Sequence, residues 1–399
     1  MKMNSESIVL LTKDALCADY LPAYGNSYWK GKTPNMDELV AKGTVFTHYY
    51  TAAPSSAMAY LSMFTGKYPY EQEIKDWKPV LGPYKGTTLF DKAYEMGYDC
   101  HIIWDEKWKQ EAYRYSECYG QYTTFHDMKE IRQGVGSHYI HEGFLAPNAE
   151  KSRQTLARIE NEIAQIAETE GKVFLWIHLP HVINGRVCYG SDIDLYDEVL
   201  GILRKYFDDS HISISADHGN MNGHKGKLCY GFDVYEPAVR IPLITPRKEG
   251  KAVCEENVCN VDLYQLLFED EIPTREIIYC DSAYYAQTNR NLAVLWGKYR
   301  YIYHKKTGQE ELFDIQWDPG QQFNLFSDWN YDIDRHVNTP SRELYFYPEW
   351  EKLPEVREYL RSCRDKIWRK ESFRQRMMSN AKNLALRVHN NIKKIKIKK

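Results

Sequence analysis

The chain has 399 residues, 43% of them hydrophobic and 27% charged, with a net charge of −3. That is enough apolar material for one large domain with a small partner, or for two ordinary domains with real cores. No run approaches the ~18 apolar residues of a membrane helix, and nine cysteines without a CxxC pair argue against a disulfide framework or zinc module, so a soluble, reduced, cytoplasmic protein is expected.

The opening apolar stretch is too short for a signal peptide and is broken by Lys13 and Asp14. Ser7–Leu11 reads as a buried parallel strand, with Asp14 where it ends. On its own, Asp14 suits a helix or turn cap as well as a metal site, and Asp19 reads as a cap or structural carboxylate. The segment after Thr33 predicts a helix, with Pro34 near its start, Met36, Leu39 and Val40 on one face, and Gly43 closing it. Val45–Tyr50 reads as the next strand. Small residues then lead into Ser55 and Ser56, and Ala57–Phe64 predicts a helix stopped by Gly66. A serine at a helix N-terminus is ordinarily a plain cap, but the amides and dipole there also favour an alkoxide or a phosphate oxygen.

Further strands are expected at His101–Trp104, Val173–Ile177, Ile212–Ser215 and Ile241–Ile244. Between the first two lies a helix over about Ser152–Thr169, with Leu156, Ile159, Ile163 and Ile166 at helical spacing. Strands alternating with helices argue for a mainly parallel sheet covered on both faces, with ligands at the carboxyl ends of its strands. A histidine pair and an Asp-His pair flank such ends. His178 and His181 straddle the end of an apolar strand, His178 reading as a core residue and His181 as facing a cleft. Asp217 and His218 follow another strand, and Gly219 would permit the sharp turn needed to aim both at one ion. His138 and His141 fall in a loop where surface histidines are commonplace. Tyrosine-rich residues 105–145 are expected to shape a pocket, and the 32 tyrosines of the chain suit an amphipathic cleft.

After residue 271 the pattern changes. Glu276–Cys280, Leu292–Trp296 and Tyr299–His304 read as closely spaced antiparallel strands, with a hairpin turn near Thr307 and Gly308. This gives three regions: 1–270, a catalytic domain; 271–330, an antiparallel subdomain; and 331–399, a helical extension. From Arg364 to Lys399 there are thirteen Lys/Arg against Asp365 and Glu371, a basic tail on an acidic body. It reads as a solvated terminus or as a peripheral membrane contact; no nucleic-acid partner is expected.

Five segments in order carry a family resemblance. SIVLLTKDALCADYLPAYG (7–25), the stretch from Thr33 to Pro69 containing SSAMAYLSMFTG, FLWIHLPHV (174–182), and SISADHGNMNGHKGK (213–227) with its trailing RIPLIT, together with ELFDIQWDPGQQFNLF (311–326), resemble the sulfatase-like branch of the alkaline phosphatase superfamily over about residues 6–328. The resemblance implies an alkaline-phosphatase-like α/β/α sandwich with a small C-terminal antiparallel subdomain. It also implies that Asp14, Ser56, Asp217 and His218 bind one divalent ion, with Mn or Zn favoured and Ca allowed, and that His181 and His224 contact the substrate.

Departures from the family pattern guide the expected substrate. Tyr60 stands where the formylglycine motif of sulfatases ends in arginine, Ala15 where a second aspartate is usual, His218 where asparagine is usual, and Cys17 replaces a common arginine. Lys225 and Lys227 are candidates for that missing charge, which spacing alone does not assign. The expectation is a hydrolase of phosphate-type esters, monoester, diester or phosphonate, through a covalent Ser56 intermediate, acting on small-molecule or glycan- or lipid-linked substrates. The alternatives are a phosphoryl-alcohol transferase on lipid or glycan carriers, a sulfatase with Ser56 converted to formylglycine, and an inactive binding protein of the same fold.

Overall fold

Strand β1 (Ile8–Lys13) lies in the interior of the main sheet, and its residues alternate between two cores. The computed structural model describes residues 6–72, 84–104, 118–119, 122–128, 149–180, 189–282, 290–326, 330–332, 337–339 and 347–367. The chain divides into two compact units, 1–287 and 288–399.

In the first unit, β1 is followed by α1 (Pro34–Lys42), β2 (Thr44–Phe46), β3 (Tyr49–Tyr50), α2 (Ser56–Thr65) and α3 (Leu89–Glu95). Then come β4 (Tyr98–Trp104), β5 (Thr123–Asp127), α4 (Ala149–Ala167), β6 (Lys172–Leu179), α5 (Tyr189–Tyr206) and β7 (Ile212–Ala216). Three short strands follow, β8 (Leu243–Thr245), β9 (Val253–Cys254) and β10 (Val258–Cys259). The main sheet has the order β5-β4-β6-β1-β7-β8-β2-β9. The first five of these strands run parallel, and β8 is antiparallel to both β7 and β2.

Alternation along the strands fills both faces. Val9 and Leu11 of β1 and Leu175 and Ile177 of β6 join a core with Met36 and Leu39 of α1, Ile159, Ile163 and Ile166 of α4, and Val199, Leu200 and Leu203 of α5. Leu10, Phe174 and Trp176 join the opposite core with Met58, Tyr60, Leu61 and Phe64 of α2 and Leu89 and Phe90 of α3. The first set explains the 3.6-residue spacing read in α4, and the second explains why α2 is apolar nearly all round. The expected strand Val45–Tyr50 is two strands. At Thr47 and His48 the chain leaves the main sheet, and Tyr49–Tyr50 pairs instead with β10.

Helix α1 takes its N-terminal cap from another element. Thr33 makes no side-chain cap bond; the Asp197 carboxylate of α5 accepts from the Met36 amide at 2.8 Å, the Asn35 amide at 3.3 Å and the Asn35 side chain at 3.0 Å.

In the second unit, strands Asn291–Trp296, Tyr299–His304 and Gln309–Asp314 form an antiparallel meander. The Asp314 carboxylate is buried and satisfied by the amides of Gln316 and Trp317, by Lys298 at 2.8 Å and by the Tyr347 hydroxyl at 2.7 Å. Helix Leu353–Ile367 buries the stripe Leu353, Val356, Leu360 and Cys363. Among the described residues no helix is long and apolar enough to cross a membrane. The basic tail beyond residue 367, most of 105–145, His138, His141 and His181 lie outside the described residues.

Replacing Asp197 by alanine leaves two α1 amides without their cap. A loss of about 1–2 kcal/mol in unfolding free energy is expected, read from the urea midpoint; an unchanged midpoint would mean solvent caps α1 equally well.

Candidate active site

Register brings the first two candidates together. Lys13, the last residue of β1, pairs with Ala216, the last residue of β7, and with Leu179, the last of β6. Asp14 and Asp217 are therefore the first residues past two neighbouring strands, about 5 Å apart along the hydrogen-bonding direction. The Asp14 amide donates to Leu179 O at 2.9 Å, extending the sheet by one bond. The Lys13 ammonium is buried beside it and donates to the carbonyls of Asp14 at 3.1 Å and Pro180 at 2.9 Å.

Backbone groups then orient the carboxylate of Asp217. Its Oδ1 accepts from the amide of His218 at 2.8 Å and from the amide of Ala15 at 3.0 Å. Ala15 reaches that position only in the left-handed region, at φ 56°, a conformation that costs a non-glycine residue roughly 1–2 kcal/mol. With Oδ1 saturated, Oδ2 of Asp217 is buried with no hydrogen-bond partner, and so is Oδ1 of Asp14.

His218 is fully buried, and its tautomer follows from its partners. Nδ1 lies 2.8 Å from Gly219 O, an atom that only accepts, so Nδ1 carries the proton. Nε2 is then the ring atom left to face the site, and it is the atom that can offer a lone pair to a cation. That atom lies 3.0 Å from Ser56 Oγ, 3.5 Å from Asp217 Oδ2 and 3.6 Å from Asp14 Oδ1. One ligand atom each from Asp14, Asp217 and His218 falls within a span of 4.8 Å.

Ser56 is the first residue of α2, and Ser55 occupies the cap position without making a side-chain cap bond. Ser56 is thus not a cap serine: its hydroxyl meets His218. At the other end of the helix Gly66 adopts φ 67° and its amide donates to Ser62 O at 3.0 Å, a left-handed stop that glycine accepts without strain.

Gly219 has a different role from the sharp turn expected of it. It is not among the left-handed residues. A Cβ there would sit 2.0 Å from Pro237 O, because the backbone of 219–220 hydrogen-bonds directly to Pro237 and Ala238. Cys17 fastens the same loop from the other side, its thiol meeting Asn220 O at 3.2 Å and Pro237 O at 3.0 Å. Asp19 forms an ion pair with Arg240 and is a structural carboxylate.

The loop beyond Gly219 holds His224, half-buried with its ring 5.7 Å from that of Tyr235. Tyr230 lies over the His218 ring at 4.5 Å. Lys227 pairs with Asp233, and the ammonium groups of Lys225 and Lys227 lie 5.3 and 5.2 Å from the Tyr235 ring. Of the residues proposed from sequence, Asp14, Ser56, Asp217 and His218 converge.

Two buried, unpartnered carboxylate oxygens facing an imidazole nitrogen and a hydroxyl would repel one another without a cation. This oxygen–nitrogen donor set suits Zn or Mn, so the residues fit a divalent ion. Asp217→Asn keeps the acceptor for both amides and removes one charge. It is expected to weaken Mn²⁺ binding at least ~10-fold in calorimetry while raising the melting temperature of the metal-free protein; lower metal-free stability with intact Mn²⁺ affinity would contradict this.

Comparisons with known proteins agree with this architecture. Residues 6–182 match the family model described as sulfatase. No curated protein sequence matches the chain. Among solved structures, the phosphonate monoester hydrolase of Agrobacterium radiobacter superposes with a TM-score of 0.62 at 14% identity, over 91% of this chain and 96% of that one. A 2-O GAG sulfatase gives 0.64 at 14% identity, over 91% and 92%. The phosphonate monoester hydrolase of Silicibacter pomeroyi gives 0.57 at 13%, over 92% and 96%. At such identities the superpositions speak for the fold, while the sequence match rests on the segment from β1 to just past β6. Residues 6–182 are thus similar to the sulfatase family, and the chain shares the fold of solved sulfatases and phosphonate monoester hydrolases.

Proposed function

We propose that this chain is a metal-dependent hydrolase of phosphate-type esters, monoester, diester or phosphonate, that works through a covalent Ser56 intermediate. The observation that carries the proposal is the Ser56 hydroxyl at the start of a buried helix, 3.0 Å from Nε2 of His218 and beside two unpartnered carboxylate oxygens. Asp14, Ser56, Asp217 and His218 would hold one divalent ion, Mn or Zn before Ca. When bound, such an ion lowers the pKa of a coordinated hydroxyl and offsets charge on a non-bridging phosphoryl oxygen.

The chain's own groups supply the rest. The first-turn amides of α2, which their own cap residue leaves unsatisfied, face the developing negative charge. Ser56 Oγ, its proton released to solvent, forms the bond to phosphorus in line with the departing ester oxygen. That oxygen takes a proton as its bond to phosphorus breaks, for which His224 and His181 are the candidate donors. Water then cleaves the seryl ester and restores the hydroxyl. Transfer to a second alcohol is the same chemistry with another acceptor.

The surroundings of Tyr60 favour phosphorus over sulfur. Its ring is buried against Trp104 and Trp176, with centroids 5.3 and 5.4 Å away, at the position where a formylglycine motif ends in arginine. An unmodified serine suits phosphoryl chemistry. The eight described cysteines are free thiols, which supports a reducing, cytoplasmic location. The basic tail supports a peripheral contact with a membrane that presents a lipid- or glycan-linked substrate.

The test is turnover of p-nitrophenyl phosphate, bis-p-nitrophenyl phosphate, p-nitrophenyl phenylphosphonate and p-nitrophenyl sulfate with Mn²⁺, Zn²⁺, Ca²⁺ or chelator. A phosphorus ester should be preferred with Mn²⁺ or Zn²⁺, and Ser56→Ala should lose at least ~10³-fold in kcat. Preference for sulfate with Ca²⁺, or full activity in Ser56→Ala, would overturn the proposal.

A further inference from the structure

Helix α2 is held mainly by apolar contacts, which are non-directional and resist small rotations or slides poorly. A polar connection crosses from this helix to the sheet. Tyr60 stands four residues after Ser56, on the same helix face one turn further on. Its hydroxyl lies 2.7 Å from His178 Nε2. His178 Nδ1 lies 2.9 Å from Thr12 Oγ1, which accepts from Trp176 Nε1 at 2.8 Å and donates to Ile177 O at 3.2 Å.

The threonine proton is committed to Ile177 O, so His178 donates from Nδ1 and accepts the Tyr60 proton at Nε2. The network sits in a cage of rings, with Trp104, Trp176 and His178 centroids 5.2–5.4 Å from that of Tyr60. Burial keeps the imidazole neutral, its pKa pushed down to about 3. Thr12 precedes Asp14 by two residues on β1, so the network ends on the strand that leads to the candidate ligand.

We infer that Tyr60 is a positioning residue: its bond to His178 fixes the rotation and height of α2, and so holds the Ser56 hydroxyl beside His218 and the Asp14 carboxylate. The inference rests on the reading of Ser56 as ligand and nucleophile. Without the hydroxyl, His178 Nε2 is left unpaired in a dry cage and the helix settles elsewhere, and a displacement of ~1 Å at a reacting atom costs about 10²-fold in rate.

The experiment uses the full chain, Tyr60→Phe, and Tyr60→Phe combined with His178→Leu, which removes the orphaned nitrogen. For each, the Mn²⁺ dissociation constant is measured by calorimetry with the metal alone. Thermal midpoint is measured alongside, as are kcat and KM on whichever of the four p-nitrophenyl esters the wild type turns over. Tyr60→Phe should weaken Mn²⁺ binding about 10-fold and lower kcat by about 10–100-fold with KM within about twofold. The double variant should regain thermal stability and neither of the other two. Wild-type Mn²⁺ affinity in Tyr60→Phe, or affinity returning with stability in the double variant, overturns the inference. If the wild type cleaves none of the esters, the proposed function fails, and the Mn²⁺ arm still decides the role of Tyr60.

Discussion

The site depends on two carboxylates being held side by side at the ends of neighbouring strands. The Lys13–Ala216 register places them there, and like charges at that spacing repel. The fold holds Asp217 with backbone amides: His218 and the strained Ala15 each donate to the same oxygen. Because those donors are fixed by the sheet and the loop, the other oxygen is aimed inward and stays unpartnered. Carboxylates held in this way are unfavourable without a compensating charge, which is the energetic basis of the proposed metal site.

A second constraint is the match between a buried helix and the polar end of a sheet. The α2 face of β1 and β6 is apolar through Leu10, Phe174 and Trp176, then turns polar at Thr12 and His178. Tyr60 meets that polar end with its hydroxyl and the apolar part with its ring. The loop carrying His218 is fastened separately, by Gly219 pressed against Pro237 and by the Cys17 thiol. Three segments, cross-tied by these contacts, therefore deliver Asp14, Ser56, and the Asp217–His218 pair.

Much of this is legible in the sequence because it is local. The strands β1 and β6 carry continuous apolar runs, β7 alternates isoleucine with serine, and α4 announces itself by its isoleucine spacing. Asp14, Asp217 and His218 stand out as polar residues directly after strands. Ser56 is less legible: locally it resembles a cap serine, and only the order of the surrounding segments marks it. What pattern does not reveal depends on distant backbone. Gly219 is needed because Pro237 passes within contact, not for a left-handed turn. The break at Thr47 and His48 reflects a second sheet built with Val258 and Cys259. The Tyr60–His178 bond joins residues 118 positions apart, although the four-residue step from Ser56 to Tyr60 was a usable hint. Lys227, a candidate for anion charge, is engaged by Asp233, a pairing that spacing alone leaves open.

The most direct test is diffraction from Mn²⁺-soaked crystals at the manganese absorption edge. A single anomalous peak bound by oxygen atoms of Asp14, Asp217 and Ser56 and by Nε2 of His218, at about 2.0–2.3 Å, is the predicted result. An absence of manganese at saturating concentration, or a peak bound elsewhere with Ser56 still hydrogen-bonded to His218, would contradict the account.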